Sequence, residues 1–425
     1  MSFARYTCNN SKMKDSRFRT GQAVVFSVTF LSVVARRASL EGWSMVKPKI
    51  SKDMQFESTW LGVFDTVQLF SYAIGTYING SLCDYFSKRA IVAIGLLGGS
   101  LSFLAMALLG YLGINNGFIF SVLWAVEGYF LSAAWPGSLG VMGNWFSSKE
   151  TGKVMGIWSS NASVGNIFGA ALATVMFAGF YSSWEAVVVA LSVFLLLVAL
   201  LFYFTISEKP KHRLEEPLLE GTSQCIGFWE AWLIPGVIPY TVSYTCLKLL
   251  NYGVLMWLPF YLEKKIGMST GSLGVAVVLY DVGGMLGSAF CGWMSDMRGG
   301  RAPAISLMLL VSIPLLFLFK VGDEDTAWMF FTLVPLLGIL VNGACNIMSG
   351  AVATDLANDG NKDQDKTATI SGILDGTGSL GAALGQFLIG WLQSFSWNYV
   401  FLFLIGVNIT SLVPLVFMIF RKLCS

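Results

Sequence analysis

The feature that most constrains this chain is a series of long apolar runs that carry almost no charge. Clear examples are Trp60–Leu82, Ile91–Leu112, Ala186–Phe204 and Asn398–Phe420. Each run has about the 20 residues that a helix needs to cross the hydrocarbon core of a bilayer. Hydrophobic residues make up 55% of the chain and charged residues 12%, whereas about a quarter of a soluble domain is charged. The sequence therefore predicts an all-α polytopic membrane protein and argues against a soluble enzyme.

Twelve spans fit the apolar runs and the loops between them. They lie near residues 20–45, 57–84, 91–112, 117–143, 153–177, 185–205, 230–261, 270–295, 302–321, 327–352, 367–393 and 397–420. The charged segment after the sixth span reads as a linker between two halves. The predicted organisation is a tail at 1–19, a six-helix bundle at 20–205, a linker at 206–228, a second six-helix bundle at 229–421 and a tail at 422–425.

The basic residues indicate how the chain is oriented. With twelve spans, most lysines and arginines fall in the two termini and in the loops on their side. Lys47, Lys49, Lys52, Lys264, Lys265 and Lys320 lie on the other side. The positive-inside rule then places both termini in the cytosol. The linker sequence Glu215-Glu216-Pro-Leu-Leu219 resembles an acidic dileucine sorting signal, which favours an internal eukaryotic membrane, either the endoplasmic reticulum or an endolysosomal or vacuolar one.

An internal repeat relates the two halves. The pattern Gly80-x-x-x-Asp84-x-x-x-x-Arg89 recurs 212 residues later as Gly292-x-x-x-Asp296-x-x-x-x-Arg301. A second set, Gly156, Ser163, Gly165 and Gly169, recurs 216 residues later as Gly372, Ser379, Gly381 and Gly385. Two parallel, pseudo-symmetric six-helix bundles around a central path are the architecture of the major facilitator superfamily. We interpret the two Gly-Asp-Arg loops as a conformational charge relay that holds the halves together in one state.

Cations inside spans are the first candidates for function, because each costs at least about 2.5–3.5 kcal/mol on insertion. Arg36 and Arg37 interrupt the first span, and the 212-residue displacement carries Arg36 onto Lys248 in the seventh. Two such cations facing one another would bind a doubly charged anion such as a phosphate. Adjacent helical residues point about 100° apart, so only one arginine is expected to face the path squarely. The alternatives are that the arginines snorkel and that Lys248 pairs with a buried acid.

Buried acids allow two interpretations. Asp65, Glu127, Asp281 and Asp375 all fall within predicted spans. They are either counter-ions of the cationic site or protonatable groups that couple transport to a proton gradient. We favour counter-ions for Asp65 and Asp281. Asp375 stands in a glycine-rich run and is also a candidate helix cap, and Glu127 is a candidate packing residue.

Polar residues beside Lys248 could complete a binding face. Tyr244, Lys248 and Asn251 follow one another at i, i+4 and i+7, so they share one side of the seventh helix. A helix-packing role for Tyr244 and Asn251 is the alternative. The sequence contains no Walker loop, His/Cys metal cluster or nucleophile triad, so it predicts no cofactor and no metal. Its basic residues are spread among short loops, which does not suggest a nucleic-acid partner.

Several segments resemble the eukaryotic sugar-phosphate exchangers, in the organophosphate:phosphate antiporter branch of the major facilitator superfamily. These segments are Leu233–Tyr240, Cys246–Tyr252, Trp257–Leu262, Tyr280–Gly284, Met142–Phe146, Ala162–Asn166 and Ile373–Ala383. The resemblance implies exchange of a sugar phosphate or glycerol 3-phosphate for inorganic phosphate. The basic pair that the branch carries in its first span matches Arg36-Arg37.

The chain departs from the bacterial members of that branch at two places. Asn251 stands where they have an arginine, and Lys248 lies one turn earlier. Asn161, a candidate substrate ligand, lies in the region where their fifth span has a histidine. A lysine keeps the charge but loses bidentate geometry, so the substrate can differ. The alternative functions are proton-coupled transport of another organic anion, with Asp65 or Asp281 as the proton carrier, and a receptor or scaffold built on a transporter fold.

Overall fold

The computed structural model describes residues 2–146, 160–179, 183–208, 228–297, 301–348 and 367–424, together with residues 154, 157, 158, 352 and 356. Most of the predicted linker, including the dileucine-like sequence, lies outside this described part. The side chains of residues 2–17, Asp84 and Asp296 are also outside it. In the described part every span is helical, and the predicted all-α fold is confirmed.

Six spans make up the N-terminal half. Their helices are Ser2–Asp53, Ser58–Tyr85, Lys88–Tyr111, Gly117–Leu131 with Ala134–Trp145, Asn161–Gly179, and Trp184–Thr205. Polar side chains fix several of the starts, as expected for N-caps. Ser87 accepts a hydrogen bond from the backbone N–H of Ala90, and Asn116 accepts bonds from Phe118 and Ile119. We call the end where the first helix begins the terminal face, and the opposite end the distal face.

Six further spans make up the C-terminal half. After a short helix at Phe228–Trp232, the spans are Val237–Lys264, Thr270–Met297, Arg301–Val321, Glu324–Ile347, Thr367–Gln393 and Trp397–Cys424. The tenth span changes winding along its length, from a 3₁₀ turn at Glu324–Met329 to an α-helix at Phe330–Leu337 and a π-helical turn at Gly338–Asn342. Gly283 and Gly287 of the eighth helix lie against the backbone of this span. A larger residue at either position would clash with that backbone, so glycine allows the two helices to pack closely.

Nine of the described helices are long and apolar enough to cross a membrane by length and composition. The second, seventh and eleventh spans are not among these nine. They carry buried polar side chains, such as Gln68, Lys248 and Ser379. These polar side chains lower the hydropathy of the three spans and are turned away from lipid.

The two halves repeat each other in three dimensions. In the N-terminal half, Ser100 of the third helix and Ser192 of the sixth each donate to the other's carbonyl oxygen at 2.8 Å. The equivalent contact in the C-terminal half joins Asn408 Nδ2 to Ser312 Oγ at 2.8 Å. These residues differ by 212 and 216 positions, the two displacements of the sequence repeat.

In the described part, the halves are joined mainly by three pairs of helices: the second with the eleventh, the fifth with the eighth, and the first with the seventh. In the last pair, Ser44 Oγ donates to the carbonyl oxygen of Met256 at 2.9 Å. Met256 follows Ser44 by 212 residues, so the first and seventh helices cross at positions that the sequence repeat makes equivalent. The pseudo-twofold axis therefore passes between the first and seventh helices. The finer division at 20–205, 206–228 and 229–421 stays a prediction.

The first helix is longer than the sequence predicts. It continues to Asp53 rather than ending near residue 45, and it includes Pro48. Lys47, for which the sequence predicts a place in a loop, is fully buried in this extension. Its ammonium group pairs with the carboxylate of Asp65 in the second helix, which offsets the cost of burying the charge.

Candidate functional site

The central cations lie where the first, second, seventh and eleventh helices meet. Glycines in the fifth and eleventh helices allow these helices to pack closely against the first and seventh, which carry the cations. A Cβ on Gly165 of the fifth helix would stand 2.7 Å from the carbonyl oxygen of Val34, one turn before Arg37. A Cβ on Gly378 of the eleventh would stand 3.0 Å from Lys248 Cδ. Both glycines let neighbouring helices reach the charged side chains without a clash.

Lys248 is held by the eleventh helix. Its Nζ donates to Asp375 Oδ1 at 2.6 Å, to Ser379 Oγ at 2.8 Å and to the Asp375 carbonyl oxygen at 3.2 Å. Lys248 is 4% exposed, whereas the side chain of Asp375 is 38% exposed. The sequence leaves open whether this lysine pairs with an acid. In the structure it does, and its partner can reach solvent.

The two arginines contact tyrosines and make no ion pair with the described residues. The Arg36 guanidinium lies over the ring of Tyr72 in the second helix, 3.9 Å from its centroid. Arg37 Nη1 donates to the Tyr252 hydroxyl of the seventh helix at 2.9 Å. The sequence predicts that only one arginine faces the path. Arg37 contacts the other half through Tyr252, whereas Arg36 contacts Tyr72 of its own half, because the first helix is covered by helices on two sides.

We call Arg36, Arg37, Lys248, Tyr72, Tyr252 and Asp375 the cationic cluster. Its members are linked across the halves: Lys248 Nζ is 5.6 Å from the ring centroid of Tyr252, which also binds Arg37. Of the three cations, Lys248 pairs directly with a described carboxylate, Asp375, and the two arginines do not. Such a site attracts an anion that can accept several charge-assisted hydrogen bonds.

On the distal side of the cluster the path is closed by a second set of residues, Ser44, Lys47, Met256 and Trp257, which we call the distal barrier. Ser44 and Lys47 both donate to the carbonyl oxygen of Met256, at 2.9 Å each. Lys47 also pairs with Asp65, and its Nζ is 4.9 Å from the Trp257 ring centroid. On the terminal side, Asp375 and Tyr77 are partly exposed, Tyr77 by 44%. The cluster is therefore more accessible from the terminal face.

The other candidate ligands are distributed unequally. Tyr244 lies at the cluster, with its ring centroid 5.7 Å from Lys248 Nζ. Asn251 instead accepts a hydrogen bond from the Tyr280 hydroxyl at 2.6 Å and donates to Asn342 at 3.4 Å. Asn161 donates at 2.6 Å to the carbonyl oxygen of Trp158, a residue outside the cluster. The structure thus brings Tyr244 to the cations but gives the two asparagines other partners.

The predicted buried acids are separated as well. Asp65 is a counter-ion of Lys47, not of Arg36 or Lys248, and it also accepts a bond from Trp43 Nε1 at 3.0 Å. Asp281 accepts a hydrogen bond from Asn166 Nδ2 at 2.9 Å and has no cation partner among the described residues. Glu127 is fully buried and accepts a bond from Gln68 Nε2 at 3.0 Å.

The structure adds residues that the sequence reasoning missed. Tyr252 lies four positions after Lys248, so the same helical periodicity that selects Tyr244 also selects it. Tyr72 has no comparable signal, because nothing local shows that it faces Arg36. Glu41 follows Arg37 by four residues and is 1% exposed. An acid one helical turn from an intramembrane arginine is a signal that could have been used.

The repeated Gly-Asp-Arg motifs lie at the terminal ends of the second and eighth helices. Gly80 faces Pro136 and Gly292 faces Ile347, each with a Cβ position 3.9 Å from the nearest side-chain atom. The Arg89 guanidinium lies over Tyr203, and Arg301 Nη1 donates to Ser295 Oγ at 2.6 Å. The side chains of Asp84 and Asp296 are outside the described part, so the charge relay stays a prediction.

The fold and the site define a class: a membrane transporter made of two pseudo-symmetric bundles with a charged site between them. Residues 25–385 match the model of the Major Facilitator Superfamily. Human sugar phosphate exchanger 3 is 31% identical, over 96% of this chain and 95% of the relative. The Arabidopsis thaliana putative glycerol-3-phosphate transporter 5 is 32% identical, over 91% and 89%.

Solved structures agree on the fold. A bacterial homologue of the human lysosomal transporter Spinster, in an inward-facing and unoccupied conformation, superposes with a TM-score of 0.70 at 15% identity, over 94% of this chain and 95% of the other. The nucleoside transporter NupG gives 0.72 at 12% identity, over 93% and 99%. The chain belongs to the major facilitator superfamily and, within it, to the sugar phosphate exchanger family. It is a multi-pass membrane transporter and not an enzyme.

Proposed function

We propose that this protein exchanges a sugar phosphate or glycerol 3-phosphate for inorganic phosphate by alternating access. The observation that carries the proposal is the cationic cluster. Three cations converge there between the halves, and among the described residues only Lys248 of the three has a carboxylate partner. The names of the relatives, which refer to sugar phosphate and glycerol 3-phosphate, support the same substrate class.

A phosphoryl group fits the charge of the cluster. With Lys248 paired to Asp375, Arg36 and Arg37 contribute two positive charges that no described carboxylate neutralises directly. The dianion of phosphate or of a phosphate monoester supplies two negative charges and three terminal oxygens that carry no proton or ester group. Arginine offers a planar fork of donors to such a group, whereas lysine acts as a point charge. We assign Arg36 and Arg37 to the phosphoryl oxygens, and Lys248 to the same group once the substrate displaces Asp375.

Exchange follows from the state of the empty carrier. Without an anion, two arginines are held in a low-dielectric region against the tyrosines Tyr72 and Tyr252. Closing both ends of the path around these charges costs solvation free energy that a bound anion offsets. The halves are therefore expected to reorient fast only when loaded, so that efflux of one phosphate compound requires influx of another.

The distal barrier supplies one side of the alternating cycle. The contacts of Ser44 and Lys47 with Met256 join the halves on the distal side of the cluster. For the other state these contacts must break and equivalent contacts must form toward the terminal face. With both termini in the cytosol, as the basic loops predict, the present conformation exposes the cluster to the cytosol.

Counterflow in proteoliposomes tests the proposal. The purified full-length protein is reconstituted with unlabelled phosphate inside, and uptake of labelled phosphate is measured against external sugar phosphates and glycerol 3-phosphate. We expect uptake to require internal phosphate or an organic phosphate, and at least one external organic phosphate to compete. Lys264→Gln is a matched control, because this lysine lies on the same helix as Lys248, is 35% exposed and pairs with its neighbour Glu263. Failure of every phosphate compound to exchange would overturn the proposal.

A further inference from the structure

A buried hydrogen bond joins the two halves of the transporter between the fifth and eighth helices. Asn166 Nδ2 donates to Asp281 Oδ1 at 2.9 Å, and the two residues are 5% and 1% exposed. We call these two residues the amide–carboxyl pair. The other oxygen of each side chain, Asn166 Oδ1 and Asp281 Oδ2, is buried without a hydrogen-bond partner among the described residues. A buried acceptor that lacks a donor costs free energy, so the pair presents two oxygens to a ligand that donates hydrogen bonds.

Packing contacts of the fifth helix place this pair beside Arg37. A Cβ on Gly165, the residue before Asn166, would stand 2.5 Å from Arg37 Cβ. A Cβ on Gly169, about one turn later, would stand 2.4 Å from the carbonyl oxygen of Ala38. The fifth helix therefore runs along the first at the level of Arg37, and Asn166 lies between these two contact points.

Hydrogen bonds of the C-terminal half lead back to the same arginine. The hydroxyl of Tyr280, the residue before Asp281, donates to Asn251 Oδ1 at 2.6 Å. Asn251 precedes Tyr252 in the seventh helix, and the hydroxyl of Tyr252 accepts a bond from Arg37. The amide–carboxyl pair is thus connected to the cationic cluster through both halves.

The tenth helix adds another amide beside the pair. Asn342 is the last residue of the π-helical turn, a feature that is frequent at functional sites. Its Oδ1 accepts a bond from Asn251 Nδ2 at 3.4 Å. A Cβ on Gly284, three residues after Asp281, would stand 2.2 Å from Asn342 Nδ2. The amide of Asn342 therefore lies against the face of the eighth helix that carries Asp281.

Along the membrane normal, this network lies between the cationic cluster and the distal barrier. The seventh helix runs from the terminal to the distal face, and Asn251 follows Lys248 by three residues, about one turn. Met256 of the distal barrier follows Asn251 by five residues. An organic phosphate whose phosphoryl group lies at the cations can therefore extend its organic part to the pair before it meets the barrier.

The charge of the surroundings favours a neutral donor at the pair. The three cations of the cluster repel a metal ion or another positive group nearby. Hydroxyl groups donate hydrogen bonds without carrying a charge, and a sugar or polyol has several of them. A site with buried acceptors rejects an analogue that lacks the matching hydroxyl, because its own polar groups are then left unpaired.

We propose that Asn166 and Asp281 bind hydroxyl groups of the organic part of the substrate, and that they select polyhydroxylated phosphates over hydroxyl-free ones. This inference rests on the proposed phosphate exchange, because the phosphoryl group at the cluster brings the organic part to the pair. One hydroxyl donates to Asn166 Oδ1 and a second to Asp281 Oδ2. Asn251 supports the site without binding the substrate, since its amide is already bonded to Tyr280 and Asn342.

The test compares organic phosphates with and without hydroxyl groups as inhibitors of phosphate self-exchange. Uptake of labelled phosphate against internal phosphate is measured in proteoliposomes that contain the full-length protein. Glycerol 3-phosphate is compared with propyl phosphate, and glucose 6-phosphate with cyclohexylmethyl phosphate. Each comparison keeps the phosphate ester and nearly the same size while it removes the hydroxyls. We call the ratio of the two half-inhibitory concentrations the hydroxyl preference.

We expect wild type to show a hydroxyl preference of at least about fivefold in one or both comparisons, as two hydrogen bonds require. Asn166→Leu/Asp281→Leu removes both polar partners, so neither is left buried and unpaired. This variant should exchange phosphate with an affinity within about twofold of wild type, because the pair makes no bond to the phosphoryl group. Its hydroxyl preference should fall by roughly 5- to 150-fold.

Asn408→Leu/Ser312→Ala is the matched control. Asn408 Nδ2 donates to Ser312 Oγ at 2.8 Å, and Asn408 Oδ1 is likewise buried without a partner among the described residues. This contact joins the ninth and twelfth helices and has no bond to the cationic cluster in the described part. The control should keep the hydroxyl preference of wild type.

The outcomes separate this inference from the proposed exchange. A wild type without hydroxyl preference, a pair variant that keeps the preference, or a control that loses it would overturn the hydroxyl site and leave phosphate exchange standing. Unchanged preference in the pair variant is the result expected if water bonds the two oxygens in every state. If phosphate exchanges with itself but no organic phosphate inhibits, the hydroxyl site and the organic substrate both fail. If no phosphate compound is exchanged, both proposals fail. Should the double variant not fold, the hydroxyl preference of Asn166→Leu decides.

Discussion

Neutralising Lys248 tests whether the cationic cluster binds phosphate or only holds the helices together. Lys248→Gln removes the ammonium group that donates to Asp375 Oδ1 and Ser379 Oγ. If the same group binds the phosphoryl oxygens during transport, its loss removes a charge-assisted hydrogen bond of about 1.5–3 kcal/mol. This corresponds to a roughly 10- to 150-fold lower exchange rate at subsaturating phosphate.

The competing interpretation is that Lys248 serves only as the counter-ion of Asp375. The double variant Lys248→Gln/Asp375→Asn distinguishes the two, because it removes both charges and leaves no unpaired carboxylate. Asp375 is 38% exposed, so water can solvate its carboxylate in the single variant and the loss of stability should be small. Thermal unfolding in detergent checks this point for both proteins.

The assay is counterflow of labelled phosphate at equal density of reconstituted protein. We expect both Lys248→Gln and the double variant to be at least tenfold slower than wild type, and Lys248→Arg to recover part of the rate because it restores the charge. The Lys264→Gln control should exchange like wild type. A double variant that regains the wild-type rate, or a Lys248→Gln protein that never lost it, would refute a role of Lys248 in binding phosphate.

Three further predictions follow from the contacts of the first and second helices. Arg36→Gln and Arg37→Gln should each slow counterflow at least tenfold, whereas Tyr252→Phe, which removes one neutral hydrogen bond to Arg37, should slow it roughly two- to tenfold. Lys47→Met leaves the carboxylate of Asp65 buried and unpaired and should destabilise the protein by about 3–5 kcal/mol in thermal unfolding, with most of the loss recovered by adding Asp65→Asn. Gly62→Ala places a Cβ 2.8 Å from the carbonyl oxygen of Gln386 and should separate the second and eleventh helices at the distal face. Distances between spin labels on the two helices can measure this separation. Gly406→Ala is the control, because nothing lies within 4 Å of its Cβ position, and it should leave those distances unchanged.

The sequence alone determined the membrane environment, the number of spans and the repeat. In lipid, the backbone N–H and C=O groups of a spanning segment must bond within the protein, and a helix achieves this within one segment. Uncharged runs of about 20 residues fit a spanning helix, so the all-α architecture follows from composition and length. The displacement of 212 residues links Arg36 to Lys248 by counting along the chain. The crossing of Ser44 with Met256 at the same displacement shows the symmetry directly. These features depend on properties that are local or periodic along the chain.

Only the tertiary structure decided which charges meet. Lys47 pairs with Asp65, and Lys248 pairs with Asp375. Each of these contacts depends on how far a helix is rotated about its axis and where it crosses its neighbour. A change of one residue turns a side chain by about 100°, so the spacing of residues in the sequence cannot say which neighbouring helix a side chain meets. For a charge buried in a membrane, that partner decides whether it holds the fold together or is available to bind an anion.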